Sequence, residues 1–122
     1  MPFDEDLARR LREQLAGKGG VTEKEMFGGK AFFVDGNLCV GVIRKELVAR
    51  VGPERFSDAV ERLGARPFDL TGRAMSGWVL VGPQGCPDDR ALAGWVAEAL
   101  AYVQTLPKRP EPLEQPSGGS GP

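Results

Sequence analysis

The chain has 122 residues, 41% of them hydrophobic and 27% charged, which is the composition of one globular domain with a single core. Its 16 Lys and Arg face 17 Asp and Glu, so a net charge of −1 supplies no global field toward nucleic acid or an anionic membrane, and any such contact has to use a local patch. No apolar run approaches the ~18–20 residues of a membrane span, and the acidic start (Asp4, Glu5, Asp6) is the reverse of a signal peptide, so a cytoplasmic protein with no membrane partner is expected.

Asp4 is suited to cap a helix over residues 5–16, in which Leu7, Leu11 and Leu15 form one apolar stripe and Arg9, Arg10 and Arg12 point outward. Gly17-Lys18-Gly19-Gly20 stops it. A strand follows near residues 21–27, and its charges at Glu23, Lys24 and Glu25 suit a sheet edge, where they discourage pairing with another molecule. From Met26 to Pro53 the chain is at its most apolar, with Gly28-Gly29, Asp35-Gly36-Asn37 and Arg44-Lys45-Glu46 dividing it into short strands. Asp35-Gly36 reads as a two-residue hairpin turn. An unbroken register from that turn places Ala31, Phe33, Leu38, Val40 and Val42 on the core side. The same register puts Phe32, Val34, Asn37, Cys39, Gly41 and Ile43 on the other side, which is apolar and partly small. An apolar second face calls for cover by a helix, the tail or a second copy of the chain, and it makes Phe32, Val34 and Cys39 candidate partner contacts.

Residues 47–51 form the fourth strand, ended by Gly52-Pro53, with Pro53 opening a helix whose buried face is Phe56, Val60 and Leu63 and whose stop is Gly64. Phe68 and Leu70 alternate around Asp69 as a brief strand before the Thr71-Gly72 turn, and Trp78 to Val81 is a firmer one. Asp88 or Asp89 caps a last helix with a broad apolar stripe at Leu92, Trp95, Val96, Ala99, Leu100 and Val103. Trp78 and Trp95 are expected in a sheet–helix core. Residues 108–122 are rich in Pro, Gly and Ser and read as a disordered tail after a folded domain of residues 1–107. The residues thus give an α+β chain in α-β-β-β-β-α-β-α order, with an antiparallel sheet of about five strands.

Chemistry is sparse. With no histidine in the chain, Ser57, Thr71 and Ser76 lack the usual activating base, and Cys39 and Cys86 suit neither a cysteine nucleophile nor structural zinc. Cys39 reads as a small core residue and Cys86 as a loop thiol open to solvent, with no disulfide between them. No cofactor, metal or catalytic residue is expected. Arg50, Arg66 and Arg73, with Phe68 and Trp78 near them in sequence, are candidates for a patch that reads phosphate or carboxylate groups. The alternative is that Arg66 and Arg73 brace an irregular loop, or pair with Asp69 and Glu54.

The runs EKEMFGGKAFFVDGNLCVGV, LVARVGPERF, ARPFDLTGRAMSGWVLV and LAGWVAEALAYVQTLP, in this order, resemble the N-terminal domain of the TfoX/Sxy competence regulators. Met26-Phe27-Gly28-Gly29, Arg50-Val51-Gly52-Pro53, Arg66-Pro67 and Thr71-Gly72-Arg73 carry the resemblance, which spans roughly residues 4–107. It implies a two-layer α+β fold with the helices mainly on one face of the sheet. It also implies a non-catalytic role in transcriptional control of DNA uptake, alongside the cyclic-AMP receptor protein. Full regulators of this family carry a second, helical domain, so the resemblance is to a stand-alone form of the first. The expected partner is a protein, either transcription machinery or a second copy of the chain. Direct nucleic-acid contact would be weak at most, and small anionic ligands at the arginines are the alternative.

Overall fold

The computed structural model describes residues 3–26, 28–69 and 76–108. The expectations for Phe27, Leu70, Thr71-Gly72, Arg73 and the tail beyond Lys108 lie outside the described residues. The elements are α1 (Glu5–Gln14), β1 (Val21–Met26), β2 (Gly29–Val34), β3 (Asn37–Ile43), β4 (Glu46–Arg50), α2 (Pro53–Ala59), β5 (Ala65–Pro67), β6 (Trp78–Val81) and α3 (Asp89–Val103), with a 3-10 turn at Pro83–Gly85. The strands form one antiparallel sheet in the order β1-β2-β3-β4-β6-β5. The sheet has six strands where about five are expected. The additional one is β5, which forms just before the Phe68–Leu70 segment and pairs with β6.

Each helix starts as its sequence dictates. The Asp4 carboxylate accepts from the amides of Asp6 and Leu7 at 2.9 and 3.1 Å, and Asp88 accepts from Ala91 at 2.9 Å. Pro53 opens α2. That helix ends at Ala59, and i→i−3 bonds at Glu61 and Arg62 then tighten the chain and turn Leu63 outward. Leu63 is 72% exposed and does not belong to the buried face assigned to it.

All three helices lie on one face of the sheet. Leu7 and Leu11 of α1, Ala59 of α2 and Leu92, Trp95, Val96, Ala99 and Val103 of α3 close over Phe32, Val34, Val40, Val42, Leu47, Ala49, Val51, Val79 and Val81. A smaller cluster on the opposite face joins Ile43, Val48, Phe68 and Leu80, with Trp78 packed against it. Trp95 is therefore in the sheet–helix core as expected, whereas Trp78 sits on the far face.

The two-residue turn at Asp35-Gly36 forms, with φ of +51° and +83°. The register does not continue unbroken from it. Phe33 pairs with Leu38 but Phe32 pairs with Val40, so Cys39 is an extra residue in β3. This bulge corrects the face assignment. Phe32 and Val34 share the helix-covered face with Val40 and Val42, while Ala31 and Phe33 turn to the other. The three candidate partner contacts are consequently interior, with Phe32 and Cys39 at 0% and Val34 at 1% exposure. They pack beneath the chain's own helices and offer nothing to a partner. Cys86 is likewise buried, with its thiol directed at the Gly82 carbonyl at 3.6 Å.

No helix among the described residues is long and apolar enough to cross a membrane. Leu11, fully buried where α1 meets the sheet, is the keystone of that contact. Leu11→Ala is expected to lower unfolding stability by about 3 kcal/mol in a denaturant titration, through lost burial and the cavity left behind.

Candidate functional site

Arg50 ends β4 opposite Trp78 of β6, at the end of these two interior strands, where Tyr102 comes up from α3. Its guanidinium carbon lies over both rings, 5.0 Å from the Trp78 centroid and 5.6 Å from that of Tyr102. Such contacts each contribute about 0.5–1 kcal/mol at partly exposed sites. The polar contact of Arg50 is a long one, Nη1 donating to the Leu38 carbonyl at 3.4 Å. No carboxylate among the described residues pairs with it.

The floor beside Arg50 is backbone. Gly77 has φ of +93° and its carbonyl accepts from the amides of Val51 and Gly52 at 2.8 and 3.1 Å. A Cβ on Gly77 would stand 3.0 Å from the Gly52 carbonyl carbon, and one on Gly52 (φ +91°) would run into the Tyr102 ring. These two glycines let β4 and the start of β6 approach closely enough to leave a cavity of about 290 Å³ lined by Arg50, Gly52, Pro53, Ser76, Gly77, Trp78 and Tyr102. It adjoins a groove of about 410 Å³ that shares Gly52, Pro53 and Tyr102 and adds Glu54, Arg55 and Thr105.

The other sequence candidates do not join Arg50. Arg66 makes a two-pronged ion pair with Glu46, its Nη2 donating to Oε1 at 3.1 Å and its Nη1 to Oε2. Glu46 stands four residues before Arg50 on β4, about 13 Å away along the strand. Arg66 is therefore taken up by an acid of the chain, but that acid is Glu46 and neither Asp69 nor Glu54, and the pair links β5 to β4 rather than bracing an irregular loop. Arg73 lies outside the described residues. Sequence reading missed Tyr102, the one tyrosine of the chain. It flanks the α3 stripe near the end of the helix, and that placement was the available signal.

Neither thiol is poised for chemistry. Burial pushes the Cys39 thiol up to about 12 and raises that of Cys86 as well. Among the described residues no group of three or more Cys, Asp or Glu side chains is arranged to hold a metal ion. A family model described as the TfoX N-terminal domain matches residues 13–103. Neither a curated protein nor a solved structure matches the chain.

The Arg66 hydrogen bond, helped by Arg44, holds the Glu46 carboxyl below its ordinary value of 4.5 against the opposing effect of burial. A carboxyl lowered by folding stabilises the native state above its unfolded value, and this contribution disappears as pH falls through the folded one. Glu46→Gln is thus expected to destabilise near pH 7, by less than about 1 kcal/mol because Arg66 is half exposed, and to destabilise progressively less as the pH is lowered into the acid range. Thermal melts of both chains across that range check the sign. Gly77→Ala is expected to cost more, at least about 1 kcal/mol at either end of that range, since it combines an unfavourable φ with a tight approach to the Gly52-Pro53 backbone.

Proposed function

The chain belongs to the TfoX N-terminal domain family, and from this premise we propose that it is a non-catalytic recognition module of transcriptional control that holds a protein partner at the Arg50 crevice. One observation carries the reading. A half-buried guanidinium, fixed by two aromatic rings and left without a carboxylate among the described residues, faces a preformed cavity. Aromatic rings and arginine are the residue types that anchor protein contacts most often. The floor is rigid backbone, so a partner meets the crevice with little ordering cost.

The other surfaces argue in the same direction. The residues first assigned to a partner, Phe32, Val34 and Cys39, are interior. Arg9, Arg10, Arg12, Arg44, Arg62 and Arg66 are all engaged by carboxylates of the chain itself. That pairing weakens the case for a phosphate-tracking stripe along DNA, which needs cations free to displace counterions. The buried thiols and the lack of histidine support a role without covalent chemistry.

The cyclic-AMP receptor protein is the partner that the resemblance suggests, and it can be tested purified. Titrated into the isotope-labelled chain, it is expected to move the amide signals of Gly52 and Gly77 and the indole signal of Trp78. Arg50→Gln is expected to weaken the complex about tenfold or more, in line with loss of a charge-assisted contact. Equal binding by Arg50→Gln, or shifts confined to the far side of α1, would remove the crevice from the reading. Duplex DNA alone is expected to leave the spectrum unchanged at low salt.

A further inference from the structure

Most arginines among the described residues are held by acids of the chain; the exceptions are Arg55 and Arg90, both exposed, and the partly buried Arg50. Arg12 donates through Nε and Nη2 to both oxygens of Glu23, Arg62 through Nη1 and Nη2 to both oxygens of Glu98, and Arg66 in the same manner to Glu46. Three forks are closed by three carboxylates. Arg62 is the most telling comparison, because its guanidinium also lies over an indole ring, 4.8 Å from the Trp95 centroid, and there the carboxylate is present. Arg50 has the ring contacts and the partial burial and, among the described residues, lacks only the acid.

We propose that the open fork of Arg50 is a carboxylate-binding site for an acid carried on a flat apolar body. The assignment rests on the crevice being the contact surface, as argued above, and it specifies the chemistry recognised there. Three features of the wall select a carboxylate. Among the described residues Arg50 is the single cation lining the 290 Å³ cavity, and the adjoining groove carries one cation, Arg55, and one acid, Glu54, so a single negative charge suits the space better than a double one. Three of the backbone positions beside Arg50 also offer no free amide to a phosphate. The amides of Val51 and Gly52 are both spent on the Gly77 carbonyl, and Pro53 has none. A planar carboxylate needs only the two parallel N–H donors that a guanidinium fork supplies. Trp78 and Tyr102 then form apolar walls for the group that bears the acid.

Two sources supply such a group, a small aromatic acid and the free C-terminus of a partner chain ending in an aromatic residue. The test uses the wild-type protein and follows its two indole N–H signals. Trp95 is an internal control, since its Nε1 donates to the Gly85 carbonyl at 3.1 Å away from the crevice. Indole-3-acetate is expected to shift Trp78, Gly52 and Gly77 and to leave Trp95 in place. Its neutral amide is expected to bind about tenfold more weakly or worse. Phenyl phosphate is expected to bind no better than the carboxylate. A tripeptide Gly-Gly-Phe with a free terminus, compared with its C-terminal amide, separates the sources. Tighter binding of the free peptide than of indole-3-acetate assigns the site to a partner's terminus, and the reverse order assigns it to a small acid.

The proposal is overturned if no probe moves Trp78 at about 10 mM, if acid and amide bind equally, or if phenyl phosphate binds tighter. Arg50→Gln should abolish the difference between acid and amide. The wild-type comparison of acid with amide decides the question even where that variant fails to fold. A carboxylate that binds while the cyclic-AMP receptor protein does not would sink the partner assignment alone. The converse would sink the carboxylate alone.

Discussion

Cys39 has no partner on β2, and the arrangement of the sheet follows from that one extra residue. Side chains alternate along a strand, so inserting one position reverses every face beyond it. On the turn side of the bulge Val34 faces the helices; past it, Phe32, Val40 and Val42 do. Without the insertion half of these would point away from α1 and α3, and the core would be divided between two shallow layers. With it, one face carries a continuous core under three helices. The other keeps a smaller cluster of Ile43, Val48, Phe68 and Leu80. The thiol itself is compact enough to sit fully buried where two consecutive residues face the same way.

The charged surface is organised by the same economy. Most arginines that leave the sheet and helices are met by acids of the same chain, from Arg9 between Asp6 and Glu13 to Arg66 on Glu46. Pairs this exposed contribute little stability one by one. Their effect is on recognition, since a surface whose cations are already paired presents weak fields to polyanions. Arg55, Arg90 and Arg50 depart from this pattern among the described residues, and of these Arg50 is the partly buried one, beside the two glycines of positive φ that open a cavity next to it. Geometry and charge therefore single out the same place.

Much of the fold is legible in the residues. Caps at Asp4 and Asp88, Pro53 at the start of α2, the Asp35-Gly36 turn and the leucine stripe of α1 all rest on local chemistry, and all are found. The motifs from Met26 to Pro107 likewise sufficed for the family. What failed depended on distant pairing. A bulge leaves no mark in a run such as NLCVGVI, because every residue of it is compatible with either face. Leu63 continued a helical spacing that tertiary context had already ended at Ala59. Of the three arginines proposed as one patch, Arg66 is claimed by Glu46, twenty positions away, which no local pattern announces. Arg50 was singled out from the sequence, while Tyr102 became its neighbour only through the packing of α3.

The glycine floor of the crevice has an evolutionary consequence. Gly52 and Gly77 are locked by backbone conformation and by contact with Tyr102 and with each other, so neither can be exchanged to reshape the cavity. Change in what the cavity accepts is left to side chains such as Ser76, Arg55 and Thr105, which bear on the space without pairing strands. Descendants of this scaffold would keep the same hole and change its upholstery.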